Sequence, residues 1–191
     1  GQVPDEQQTE CESCRPGSQT AADGSRCEPC GLGTFKGDTQ DECQPCFKGR
    51  FADREGLSEC EFCSIETYEN ETGSKECTPC NWIITGSITN VQGATKASQC
   101  ECPEGFFLPL DSSECAKCPE GMSCAAGSSM ANLPSTSPSS TSTSNSSGLA
   151  YPQALSGFMT TPGHPLRVYR CNPASLCPGG APGTCATNHD P

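Results

Sequence analysis

The residues of this chain best placed to do chemistry are its cysteines, and they come in pairs. C-x2-C occurs at Cys11/Cys14, Cys27/Cys30, Cys43/Cys46, Cys60/Cys63 and Cys77/Cys80; C-x-C follows at Cys100/Cys102 and C-x2-C again at Cys115/Cys118. Two chemistries use thiols spaced in this way. Kept reduced, the four thiolates of a C-x2-C-x12-C-x2-C stretch suit a tetrahedral zinc ion. Oxidised, the same cysteines staple short loops in a secreted protein. The unbroken tandem run, the two N-x-S/T sequons and the lack of a basic surface favour disulfides, so no metal and no cofactor is expected. A calcium site among Asp38, Asp41 and Glu42 lacks the regular ligand spacing of calcium loops. The two histidines, His164 and His189, lie among Gly and Pro, far from the cysteine array. No nucleophile–base pair is suggested, and the chain is read as a non-enzyme.

Something has to position these cysteines, and the composition says it is not an ordinary core. Of 191 residues, 32% are hydrophobic and 6% aromatic, against 20 glycines and 17 prolines. Burial on that scale cannot offset the entropy of ordering the chain. The 18 cysteines supply the alternative, 15 of them between Cys11 and Cys124. Residues 1–120 hold 22 of the 23 acidic side chains and nine of the 11 basic ones. So acidic an array is repelled by nucleic acid and by anionic membrane. No stretch approaches the roughly 20 apolar residues of a membrane helix.

The first five pairs recur every 16 or 17 residues, and the segments between them share a pattern. Gly stands three residues after a cysteine and an aromatic at five, as in Cys30–Phe35, Cys46–Phe51 and Cys102–Phe107. Gly33, Gly49 and Gly105 suit a tight turn, after which the aromatic opens a short extended run that covers a neighbouring disulfide. Gly37, Gly56 and Gly73 then turn the chain back. The expected fold is small and disulfide-rich, with tandem short β-hairpin loops stacked into an elongated rod and little helix.

Two bridge patterns fit. In one, alternate segments interlock, for example Cys11–Cys27 with Cys14–Cys30. In the other, preferred because every segment carries the same turns, each segment closes on itself. That gives Cys14–Cys27, Cys30–Cys43, Cys46–Cys60, Cys63–Cys77, Cys80–Cys100, Cys102–Cys115 and Cys118–Cys124. It leaves over Cys11 and the three cysteines after Cys124: either one bridge crosses the Ser/Thr stretch or, the option favoured, cysteines at both ends pair outside residues 1–191.

The domain reading is a lead-in over 1–10, tandem repeats over 11–127, a Ser/Thr/Pro-rich mucin-like linker over 128–150, and a short Cys/Gly/Pro-rich segment over 151–191 that continues into a longer chain. Candidate O-glycosylation positions in the linker are Ser135, Thr136, Ser137, Ser139, Ser140, Thr141, Ser142 and Thr143. Asn70 and Asn145 head N-glycosylation sequons. The Cys80–Cys100 segment is the most apolar, and Trp82, Ile83 and Ile84 form a candidate contact cluster. The plainer reading of Trp82 is packing among the isoleucines against a disulfide.

The segment from Cys14 to Cys118 resembles the ephrin-receptor-like (GCC2/GCC3) cysteine-rich repeat. The residues that carry the likeness are the C-x-x-G-[TRF]-[FY] motifs at Cys30–Phe35, Cys46–Phe51 and Cys102–Phe107. Cys63–Tyr68 departs from it, with Glu66 where Gly is expected. Related loops occur in tumour necrosis factor receptors and epidermal-growth-factor-like modules. Cys118–Cys124, Gly157–Met159, Val168–Cys171 and Cys177–Cys185 are similar to a junction in large surface proteins of algae and other protists. The resemblance implies an ectodomain: a glycosylated extracellular stalk or scaffold of a cell-surface or matrix protein. The alternatives are a ligand-binding receptor ectodomain, using loop tips such as Phe51–Glu55 or the Trp82 cluster, and a subunit of an extracellular filament or coat. Expected partners are other extracellular proteins or glycans, with self-association as a further possibility.

Overall fold

The computed structural model describes residues 2–4, 11–134 and 149–184. Within them the strands pair as eight two-stranded antiparallel ladders, and helix is confined to 3-10 turns of three residues. Strand β1 (Gln2–Pro4) pairs with β2 (Cys11–Ser13), and β3 (Ser18–Thr20) with β4 (Cys27–Pro29). The two-residue strands β5 (Thr34–Phe35) and β6 (Gln44–Pro45), β7 (Arg50–Phe51) and β8 (Glu61–Phe62), and β9 (Thr67–Tyr68) and β10 (Thr78–Pro79) form the next three hairpins. Then come β11 (Phe106–Phe107) with β12 (Ala116–Lys117), β13 (Met122–Ser123) with β14 (Gln153–Ala154), and β15 (Phe158–Thr161) with β16 (His164–Arg170).

Bridges join Cys14–Cys27, Cys30–Cys43, Cys46–Cys60, Cys63–Cys77, Cys80–Cys100, Cys102–Cys115, Cys118–Cys124 and Cys171–Cys177. We number the repeats by the first six of these loops and call the one opening at Cys118 the seventh. The side chain of Cys11, and Cys185 altogether, fall outside the described residues. The C-x2-C spacing explains the geometry. In extended chain, residues three apart point to opposite faces. The first cysteine of a pair therefore closes the loop behind it, and the second opens the loop ahead.

The chain divides into two compact modules, Gly1–Ile83 with Ile88–Cys100, and Ile84–Ser87 with Glu101–Pro191. In the first module the buried apolar residues are seven half-cystines and three alanines (Ala21, Ala52 and Ala94). Phe35 and Leu57, half-buried, pack on the cluster of Cys46, Ala52 and Cys60. In the second module Phe107, Cys124 and Met130 form the corresponding cluster, with Leu133 and Leu166 against it.

Backbone bonds join consecutive repeats in a recurring set. The N–H groups of Gly33, Lys36 and Gly56 donate to the carbonyls of Ala52, Leu57 and Cys30, at 2.9, 3.1 and 2.8 Å. One repeat on, Gly49, Ala52 and Gly73 donate in the same way to Glu69, Ser74 and Cys46. In the second module Gly105, Leu108 and Gly127 do so to Cys124, Ser128 and Cys102. The repeats are thus stitched through main chain and need few side chains to register them. The turn at Glu66 keeps its bond from the Cys80 N–H, at 2.9 Å, without the positive φ of the glycine turns.

Lys36 adds a side-chain strut to this ladder. It is only 3% exposed, and its Nζ donates to the carbonyls of Cys14, at 2.9 Å, and Arg15, at 3.3 Å. Lys36→Met is expected to lower the stability of the first module by about 2 kcal/mol, because bonds from a charged donor are lost and the buried Cys14 carbonyl loses its partner. Chemical denaturation with the disulfides intact measures this.

The seventh repeat is closed by β13 and β14, which lie on either side of the Ser/Thr-rich run. The Leu155 N–H donates to the Gly121 carbonyl at 2.9 Å, as the Cys118 N–H does to Gly105. Leu155 therefore occupies the position that a second cysteine of a pair holds elsewhere. The ends of the run are drawn together: the Ser129 N–H and the Asn132 amide both donate to the Ala150 carbonyl, at 3.0 and 2.9 Å. β13 and β14 flank the run in sequence, and residues 151–184 lie in the second module.

Candidate functional site

No group of three or more metal-binding side chains converges among the described residues. Asp38, Asp41 and Glu42 are all exposed. The carboxyl of Asp23 is held below the usual carboxylate range, first because the Ser25 N–H donates to it at 3.0 Å and then because the Ser25 hydroxyl does at 2.7 Å. That arrangement is a local turn on the surface. His164 opens β16 and is exposed, and His189 falls outside the described residues.

The modification candidates divide in the same way. Asn70, Glu71 and Thr72 are exposed and lie between buried Glu69 and the turn at Gly73. The Glu69 carboxylate accepts the Glu71 N–H at 2.8 Å and so fixes the sequon's backbone. Asn145 and the positions Ser135, Thr136, Ser137, Ser139, Ser140, Thr141, Ser142 and Thr143 fall outside the described residues.

Trp82 does not pack as the plainer reading expected: it is 78% exposed, with Ile83 beside it also exposed. The loop interior is taken instead by Thr89 and Ala94. The Thr89 hydroxyl lies 2.8 Å from the Ile65 carbonyl and 2.9 Å from that of Val91, so a small side chain with one donor, able to serve either carbonyl, fills the space. Ile84 belongs to the other module and is half-buried.

Sequence reading named the Phe51–Glu55 loop tip, which holds Arg54, but missed the band of aromatic and charged side chains around it on repeats two to four. The Arg50 guanidinium lies over the Phe62 ring, 3.7 Å from its centre, and pairs with Glu59 at 2.9 Å. Arg54 pairs with Glu61 at 2.6 Å. Phe47, 65% exposed, meets Phe35 edge-on at 6.2 Å. The available signal was an aromatic next to the cysteine, at Phe47 after Cys46 and at Phe62 before Cys63, where it falls outside the turn motif.

Residues 49–100, most of repeat three and all of repeats four and five, match the family described as "Tyrosine-protein kinase ephrin type A/B receptor-like". This segment is an ephrin-receptor-like cysteine-rich repeat. The kinase in that description is a property of the named receptors; the matched residues here are cystine-closed loops. Two curated relatives align with similar lengths of chain. Human "Signal peptide, CUB and EGF-like domain-containing protein 2" is 34% identical over 71 residues, 35% of this chain and 7% of the relative. Rat "Sushi, von Willebrand factor type A, EGF and pentraxin domain-containing protein 1" is 38% identical over 66 residues, 34% of this chain and 2% of the relative. The chain spans a small fraction of either protein. Ephrin-receptor-like, EGF-like, CUB and Sushi modules are extracellular domain types, and the repeat described here is of that kind: disulfide-held and receptor-like.

Proposed function

We propose that this ephrin-receptor-like array is a stalk or scaffold segment of an extracellular cell-surface or matrix protein, N-glycosylated at Asn70. The observation that carries the reading is the recurring set of main-chain bonds between consecutive repeats. Within each module such a set fixes consecutive repeats on one another, which is what a spacer built of small loops requires. The exposed, backbone-fixed sequon supports the glycan. Small-angle scattering of the chain secreted from a glycosylating cell tests the spacer. The expected radius of gyration lies well above the ~16 Å of a globule of this length and below the ~47 Å of an unfolded chain. A value near that of the globule would overturn the stalk. On the same sample, Asn70→Gln is expected to remove one glycan mass from the intact protein, and no change in mass would remove Asn70 from the proposal. A ligand-binding ectodomain is the second reading, favoured by the exposed rings of Trp82, Phe47 and Phe62.

A further inference from the structure

The first module presents a continuous apolar and acidic strip across repeats two to four. One shallow hollow is lined by Leu32, Phe51, Asp53, Glu61, Phe62 and Glu76. A second is lined by Phe35, Phe47, Arg50 and Glu59, and a third by Asp41, Glu42 and Phe47. They join through shared side chains: Phe47 borders two of them, and Arg50 stacks on the Phe62 of the first.

The rings in this strip are exposed but held. Phe62 is 53% exposed, yet Arg50 lies over its ring, and a Cβ placed on Gly93 would come within 2.8 Å of its edge. Phe47 is fixed edge-on against Phe35, which is itself packed on the Cys46–Cys60 cluster. Large side chains that are both exposed and immobilised lose little entropy when covered, which is the property of an anchor in a recognition surface. The charges choose the occupant. Six carboxylates, Asp41, Glu42, Asp53, Glu59, Glu61 and Glu76, border the strip against Arg50, Arg54 and Lys75. A surplus of negative charge repels sulphated glycans, acidic lipid surfaces and a second copy of this chain, whose net charge is −12.

We infer that this strip docks an extended, basic polypeptide segment of another extracellular protein, with apolar side chains entering the hollows around Phe47 and Phe62 and Lys or Arg side chains facing the carboxylates. This goes beyond a spacer role and does not depend on the chain being elongated.

A synthetic eight-residue peptide of alternating lysine and leucine serves as the probe, titrated into the oxidised chain at physiological salt. The expected result is saturable binding that weakens at least tenfold in the Phe47→Ser/Phe62→Ser double variant. Leu110→Ser, an exposed apolar change in the other module, should leave it unaltered. Hydrogen-exchange protection of the double variant, matched to the parent, separates loss of docking from loss of fold. No saturable binding would overturn the inference. So would equal binding by the double variant, which would mean bulk charge alone, or equal binding of a glutamate–leucine peptide. Preferential binding of a sulphated glycan over the basic peptide would overturn it as well.

Discussion

Full reduction of the disulfides is expected to unfold the first module in plain buffer, with no denaturant present. Among the described residues the buried apolar set there consists of half-cystines and alanines, so once the bridges open no larger apolar side chain is fully buried, and only the half-buried Phe35 and Leu57 remain to pack. The backbone ladder cannot replace them: its bonds exchange for bonds to water with a net gain of only about 1 kcal/mol each. Each bridge closing a loop of 13 or 14 residues contributes about 3 kcal/mol by constraining the unfolded chain. Removing one pair, Cys46→Ser with Cys60→Ser, should therefore lower stability by about that amount, plus the packing of Phe35 and Leu57 on that cystine. Hydrogen exchange before and after reduction reads the first effect, and denaturation of the double variant reads the second. Retained amide protection after complete reduction would show that the main-chain ladder is sufficient by itself.

Gly33→Ala is expected to be among the most damaging single changes that spare every cysteine. Gly33 has φ +76°, and a Cβ there would run into the carbonyl of Gly73, two repeats away. Gly17 meets Gly56 and Gly49 meets Gly93 in the same manner, so backbone touches backbone between every second repeat. The left-handed conformation costs an alanine about 1–2 kcal/mol, and overpacking adds about 1–3, giving a loss of roughly 2–5 kcal/mol. Gly31→Ala, two residues earlier, has ordinary φ and open space around it, and should stay within about 0.5 kcal/mol of the parent. The pair of variants isolates the contact. Trp82 is a poor reporter for this comparison because its ring is already in water when the chain is folded. Amide exchange at Lys36 and Gly56, whose N–H groups donate to the neighbouring repeat, is the suitable readout.

The fold class was legible because its cause is local. A cysteine, a turn glycine three residues on and an aromatic after it dictate a small closed hairpin wherever they occur, and the spacing repeats that instruction along the chain. What was not legible depends on parts that leave no side-chain signal. The contact between Gly33 and Gly73 joins two hydrogen atoms' worth of side chain across 40 residues. The closing of the seventh repeat by β13 and β14 was hidden because Pro152 and Leu155 stand where a cysteine pair would have announced it. Hydrophobicity misled at Trp82: the described interior of the first module is built of half-cystines and alanines, and beside them a small threonine takes the space that an indole would overfill. Phe47 and Phe62 were overlooked for the opposite reason, since the turn motif accounts for the aromatic at its fifth position and for no other.

The self-closed loops also decide how such a chain would carry a mechanical load. Across the first six bridges the Cα atoms lie 5.5–5.8 Å apart. A 13-residue segment pulled straight would span roughly 45 Å. Tension entering at one cysteine therefore leaves through its partner by covalent bonds, and the loop between them stays slack and folded. Between Cys14 and Cys115 the oxidised array would resist extension, with most of that stretch's contour kept in reserve. Each bridge that is cut would release about 40 Å of new length, so the redox state of the surroundings would set how far the protein can stretch.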